Sequence, residues 1–325
     1  MKSILFILAL FGVSVAHAET THPDLPDLSG FIDEMVQKHH FDANYLSQNF
    51  DKVEVKDSIL TAISRPAEKS KPWYEYRKIF ITDKRINGGV EFWQDHKEAL
   101  DQAEKVYGVP AEIIVAILGV ETRYGSNVGN YRVLDALSTL AFRYPPREKF
   151  FRGELEQFLL LTREEKMSLL TPVGSYAGAM GLGQFMPSSF REYAVDFDHD
   201  GKRNIWTDAA DAIGSIANYL HRHGWVAGQS IVHRAQVKGT VPDSMLAQGL
   251  KPSLTRKQLA DAGISSDSLP AGDDPLALIA LEQPDGNEYW LARQNFYAIT
   301  RYNHSAMYAM AVTQLGHAIR QQVEK

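Results

Sequence analysis

The stretch PAEIIVAILGVETRYG, Pro110 to Gly125, decides the reading of this chain. Proline suits a first helical turn, where its missing N–H would be unbonded anyway, and an acid such as Glu112 complements the positive helix start. Ile113, Ile114, Ile117, Leu118 and Val120 carry the helix onward, and Gly125 is a stop signal. Glu121 falls four residues after Ile117 and eight after Ile113, so it shares their apolar face. A carboxylate there is costly when ionised, and the exposed carbonyls of the helix end also disfavour an anion. Both effects favour a protonated glutamate at neutral pH, the form a general acid requires. The same spacing also suits an edge glutamate paired with Arg123 or another base.

Outward from this helix the pattern stays helical. Val133, Leu134, Leu137, Leu140 and Ala141 form one face, and Phe151, Leu155, Phe158 and Leu159 another. Ser189 and Glu192 have capping-box spacing for a further helix. Ile213, Ile216, Ala217 and Leu220 make one that Gly224 ends. Upstream, Phe31, Ile32, Met35 and Val36 recur at helical spacing after Asp27 and Ser29, and Leu60 and Ile63 close a short helix before Pro66. RPAEKSKP (Arg65 to Pro72) reads as a loop, and Phe92, Trp93, Leu100 and Ala103 as a single amphipathic helix. Downstream, SIVHRAQV, ALIALEQ, EYWLAR and FYAIT are short strand-forming runs between turns such as PAGDDP and QPDGNE, with one helix from Thr255 to Ala262. The end returns to helix, with Tyr308, Ala311, Val312, Leu315 and Ile319 on one face after Asn303. The fold class expected is mainly α, with a small α+β module inserted. The boundaries are a leader at 1–18, an N-terminal helical domain at 19–103, a core at 104–227, the β-containing module at 228–299 and a terminal helix at 300–325.

Two further constellations bear on chemistry. In GSYAGAMGLGQFMPSS (Gly174 to Ser189) the glycines allow close approach of a ligand or a second helix, and Gln184 offers donors and an acceptor beside Phe185 and Met186. No Lys-Ser/Thr follows, so a phosphate loop is unsupported. In DFDHDGKRN, Asp196, Asp198, Asp200 and Gly201 match positions 1, 3, 5 and 6 of an EF-hand loop, with Asn204 at position 9. Position 12 is Thr207, so Asp208 or Asp211 is left to complete the shell; a solvated acidic turn is the other reading. His221 and His223 read as last-turn residues that complement a helix dipole. There is no HExxH and no GxSxG, which leaves a zinc hydrolase and a serine hydrolase without support.

The chain has 325 residues, a formal charge of −6 and no cysteine. The acidic balance argues against nucleic-acid binding, and the missing thiol excludes disulfides, thiolate metal sites and lipid attachment through cysteine. Lys2, the 12-residue apolar run Ile4 to Val15 and Ala16-His17-Ala18 form a secretory signal pattern too short to span a bilayer. The expectation is a periplasmic protein with no stable membrane anchor.

GVETRYGSNVG (Gly119 to Gly129), LDALSTLAFRYP (Leu134 to Pro145), GSYAGAMGLGQFMPSS and RYNHSAMYAMAV (Arg301 to Val312) occur in this order, preceded by PWYEYRKIF (Pro72 to Phe80) and GGVEFW (Gly88 to Trp93). Together they closely resemble the lytic murein transglycosylase B family, glycoside hydrolase family 103, over roughly residues 25–320. The resemblance implies a lysozyme-like helical core and cleavage of the β-1,4 bond between N-acetylmuramic acid and N-acetylglucosamine, leaving 1,6-anhydro-N-acetylmuramic acid. It implies Glu121 as the single catalytic acid/base and Tyr76, Ser175, Gln184, Phe185, Met186, Tyr219, Tyr302 and Tyr308 as groove residues; core packing is the plain reading of the tyrosines. Asp196, Asp198, Asp200 and Asp211 are implied as a structural Ca²⁺ loop, with no cofactor for catalysis. The partners implied are peptidoglycan glycan strands, with room for cell-wall synthesis or division proteins.

The sequence departs from the family at Pro146, where a second arginine is common after Tyr-Pro, and at Thr313, where tryptophan is common. It also lacks the cysteine of lipoprotein members. A water-using muramidase, with Asp135 as the second carboxylate, and a silent wall-binding scaffold are the competing readings.

Overall fold

The computed structural model describes residues 24–64 and 71–325; the leader and most of the RPAEKSKP loop lie outside them. The chain separates into two units, one ending at Val53 and one running from Glu54 to Lys325. In the first, α1 (Leu28–His39) packs on α2 (Ala43–Phe50), and Phe31 meets Phe50 edge to face at 6.0 Å. The short α2 starts where the Asp42 carboxylate accepts the Tyr45 N–H.

The second unit opens with α3 (Asp57–Ile63), α4 (Trp73–Phe80), α5 (Asp83–Asp95), α6 (Lys97–Tyr107) and α7 (Ala111–Thr122). The single helix expected through Phe92 and Ala103 is two, broken at His96, whose backbone leaves helical geometry while its ring packs on Phe92 at 4.4 Å. Helix α7 is buried on all sides, from Ala111 to Gly119 apart from Glu112. Its isoleucine spacing therefore defines no single apolar face, and Glu121 is set apart by its place in the last turn.

Then follow β1 (Tyr131–Arg132), α8 (Val133–Arg143), α9 (Glu148–Glu164), β2 (Val173–Gly174), α10 (Pro187–Tyr193) and α11 (Ala209–Arg222). Strands β1 and β2 pair antiparallel. The capping box expected at Ser189 and Glu192 is absent: α10 begins at Pro187, which places Ser189 inside it. The buried Glu154 of α9 supplies the negative charge instead, accepting the Ser188 N–H at 2.9 Å and its hydroxyl at 2.7 Å.

The small module holds β3 (Val232–Arg234), β4 (Gln236–Val237), α12 (Asp243–Leu246), α13 (Arg256–Asp261), β5 (Ile264–Ser265), β6 (Ala277–Gln283) and β7 (Gly286–Ala292). Strand β7 lies between β3 and β6 in an antiparallel sheet, and β4 pairs with β5. Val241, Leu254, Leu259, Ile264, Leu276, Leu278 and Leu291 form its core. Thr255 and Gln258 make a full capping box for α13.

The FYAIT run is helix, not strand: it lies in α14 (Gln294–Tyr302). Phe296 and Ile299 are both fully buried at i, i+3, and the buried Asn295 side chain bonds the backbone at Val226 and Gln229. That tertiary anchoring overrides the strand preference of the run. Helix α15 (Ala306–Val323), capped by Ser305, packs on α7. Gly316 permits the close approach, since a Cβ there would sit 2.8 Å from the Glu112 carbonyl oxygen. Among the described residues no helix is long and apolar enough to cross a membrane.

Candidate active site

The last turn of α7 is locked to the glycine-rich loop. The Thr122 hydroxyl donates to the Leu182 carbonyl at 2.9 Å and accepts the Gly125 N–H at 3.0 Å. The chain reverses earlier than Gly125 alone suggests, because Arg123 and Tyr124 already adopt left-handed geometry, with φ of 52° and 58°. Their N–H groups both return to the Leu118 carbonyl, which satisfies the helix end. Glu121 is left half-buried one residue before that end.

Helix α15 brings the key partner. Tyr308, 2 % exposed, donates its hydroxyl to Glu121 Oε1 at 2.7 Å. Burial first, and then the neighbouring Glu121 charge, push the Tyr308 pKa well up, so the phenol remains a donor. Tyr76 of α4, also buried, acts electrostatically on Tyr308.

Tyr302 donates to the Gly183 carbonyl at 2.6 Å, and Tyr219 of α11 donates to the Arg301 carbonyl at 2.6 Å. The two rings meet at 4.8 Å, and Phe185 lies 5.9 Å from Tyr219 and 5.8 Å from Tyr302. This aromatic wall holds the loop that carries Gln184. Gln184 takes φ 53°, and its amide donates to the carbonyls of Gly181 at 2.9 Å and Val128 at 3.2 Å. The loop is knitted by antiparallel bridges from Met180 to Gly174 and to Phe185. Ser175 accepts the N–H groups of Ala177 and Ala179 within the loop, and Met186 follows it, half-buried, at the start of α10.

His223 differs from its sequence reading. It caps α11 and stacks on Tyr219 with ring centroids 4.1 Å apart, and burial pushes its pKa below the usual histidine value. Its Nδ1 also lies 2.8 Å from the Tyr219 carbonyl, so it serves the helix end through a ring contact that needs no charge. The i, i+4 spacing from Tyr219 is the signal that locates it in the aromatic wall. Thr122 was likewise invisible, because its partner is 60 residues away.

Asp135 is occupied structurally. It is 2 % exposed, takes Arg132 Nε at 2.7 Å and Nη2 at 2.9 Å, and also accepts the Glu54 N–H at 3.1 Å. A carboxylate so held in an ion pair is poorly placed to activate water.

Carboxylate oxygens of Asp196, Asp198 and Asp211 lie within 4.8 Å of one another. Asp211, in the first turn of α11, is almost fully buried and accepts the N–H groups of Phe197 and Asn204, each at 2.6 Å. Burial, with the charges of Asp208 and Asp198, pushes its pKa up, which is the strain a hard cation relieves. Asp208 instead caps α11, and the Asp200 carboxylate accepts the Lys202 N–H at 2.9 Å. Thr207 binds the Asn204 amide.

Residues 24–317 match the family described as the transglycosylase SLT domain. The chain belongs to the SLT transglycosylase family. It is 46 % identical over 303 residues to the membrane-bound lytic murein transglycosylase B of Escherichia coli K12, covering 90 % of this chain and 82 % of that one. The soluble lytic transglycosylase SltB1 of Pseudomonas aeruginosa superposes with a TM-score of 0.87 at 52 % identity, over 92 % of this chain and all of that one. The Escherichia coli lytic transglycosylase Slt35, solved in complex with calcium, gives 0.84 at 45 % identity, over 93 % and 95 % of the two chains. As an SLT transglycosylase the chain has a mainly α, lysozyme-like fold.

Proposed function

We propose that this chain is a peptidoglycan lytic transglycosylase that breaks the β-1,4 bond between N-acetylmuramic acid and N-acetylglucosamine and closes a 1,6-anhydro ring on the muramyl residue. The observation that carries the reading is the half-buried Glu121 with Oε1 held by the buried Tyr308 hydroxyl. That bond fixes the direction of the carboxyl at the end of α7.

In the first step the Glu121 carboxyl protonates the glycosidic oxygen, and the C1–O bond breaks to release N-acetylglucosamine. The carboxylate then accepts the proton of the muramyl 6-hydroxyl as its oxygen bonds C1, so Glu121 ends protonated as it began. The substrate acetamido group supports the positive charge at C1 between the two steps. A tethered hydroxyl outcompetes water by effective molarity when water is kept out, and the wall of Phe185, Tyr219 and Tyr302 suits sugar faces. The engagement of Asp135 with Arg132 favours this route over a water-using muramidase.

Tyr76, from the N-terminal helical domain, completes the groove in this reading together with Ser175, Gln184 and Met186 of a catalytic core at 104–227. The Asp196, Asp198 and Asp211 cluster takes a structural Ca²⁺, and Slt35, with its calcium complex, supports that assignment. Asp200 remains beside it as a further oxygen donor. The workplace is the periplasm and the partners are peptidoglycan strands. Digestion of purified murein tests the function: release of soluble muropeptides is expected, and an inert wild-type protein that binds murein contradicts it.

A further inference from the structure

A cavity of about 410 Å³ lies apart from the groove residues named above. Glu54, Lys56 and Ser58 line it from the approach to α3, and Asn130, Tyr131 and Arg132 from the turn into β1, with Asp135 of α8. Its size falls in the range of small-molecule sites, roughly 300–1,000 Å³.

The charges in this cavity are already matched. Arg132 gives Nε and Nη2 to Asp135 at 2.7 and 2.9 Å, and the Lys56 ammonium pairs with Glu54. The Glu54 N–H also donates to Asp135 at 3.1 Å. Two cations meet two carboxylates, so an ion of either sign would enter against a like charge. What the cavity offers a ligand is neutral chemistry: the exposed Asn130 amide, the Ser58 and Tyr131 hydroxyls 3.3 Å apart, and the half-buried Tyr131 ring. Amides and hydroxyls both donate and accept, and an aromatic ring suits the apolar face of a sugar.

The cavity shares its backbone with the groove loop. The Val128 carbonyl accepts the Gln184 amide at 3.2 Å, and Asn130 follows two residues later, no more than about 7 Å of chain away. Tyr131 pairs with Gly174, the residue before Ser175. The Asn127 N–H returns to the Thr122 carbonyl at 2.9 Å, which ties the same stretch to the end of α7.

We propose that this cavity is an accessory carbohydrate site that takes one N-acetylglucosamine unit of a glycan strand. The proposal rests on the transglycosylase reading, which supplies the strand. Every second sugar of that strand lacks the anionic peptide arm, and only such a neutral unit matches a cavity whose charges are closed. The site adds grip on long strands and leaves the bond chemistry to Glu121.

The test titrates the wild-type chain with the β-1,4 disaccharide of N-acetylglucosamine and follows the Asn130 side-chain amide by NMR. A saturable shift is expected, unchanged by added salt, and the free stem peptide should leave the signal unmoved. Tyr131→Ala should weaken the disaccharide about tenfold, and Tyr131→Phe should keep most of the affinity because the ring remains. On long murein strands Tyr131→Ala should raise KM with kcat unchanged, equally with and without the stem peptides. An Asn130 signal that the disaccharide does not move, or that the peptide moves instead, overturns the site. So does a Tyr131→Ala variant that binds the disaccharide as wild type does. A wild type that binds the disaccharide here but cuts no murein contradicts the transglycosylase reading and leaves the carbohydrate site supported.

Discussion

Tyr308 reaches across 187 positions of sequence to donate its hydroxyl to Glu121 Oε1 at 2.7 Å. The bond joins the first turn of α15 to the last turn of α7, so the packing of these two helices sets the orientation of the Glu121 carboxyl. Tyr308→Phe keeps the ring and removes the donor. It is expected to lower kcat by roughly ten- to a hundredfold with little change in KM, because the carboxyl loses its fixed direction rather than its proton. Steady-state kinetics on soluble muropeptides checks this, and an unchanged kcat would count against the positioning role.

Helix packing carries its own prediction. Gly316→Ala places a methyl group 2.8 Å from the Glu112 carbonyl oxygen. Backbone cannot yield as a flexible side chain can, so the variant should lose about 1–3 kcal/mol of stability. Chemical denaturation measures it, and turnover should fall along with stability as α15 shifts Tyr308.

Calcium should raise the melting temperature, since a ligand bound only by the folded state stabilises it by mass action. Asp198→Ala should abolish the calcium-dependent part while leaving the calcium-free melt close to wild type, because Asp198 is exposed. Asp211→Ala should cost stability even without calcium, since the Phe197 and Asn204 N–H groups lose their acceptor. A melt insensitive to millimolar calcium would reduce the loop to an acidic turn.

Stability should also respond to pH through His223. Its folded-state pKa lies below the ordinary 6.5, so the unfolded chain binds more protons as acid is added. The contribution is therefore full above about pH 6.5 and is lost as pH falls through the folded pKa. His223→Gln should flatten the fall in melting temperature across that window; an unaltered slope would assign the acid sensitivity to other groups.

Much of this was legible in the chain because it is local. The helix start at Pro110, the short helix from Thr255 and the alternation of Asp196 and Asp198 depend on near neighbours alone. FYAIT misleads because its residues suit strands, while the Asn295 bonds that hold it helical reach residues 66–69 positions away. The apolar-face argument for Glu121 does not hold for a helix buried on every side; its motif and its place at the helix end are what support the role proposed for it. Asp211 joins the acidic cluster only because α11 folds back on the loop, whereas loop spacing alone brings forward Asp200.

The mass of the reducing-end fragments released from murein by the wild-type protein tests the central claim most directly. The account predicts ends of 1,6-anhydro-N-acetylmuramic acid, and their disappearance in Glu121→Gln, whose amide can neither give nor take the proton. Ends heavier by one water, or full activity in Glu121→Gln, would contradict it.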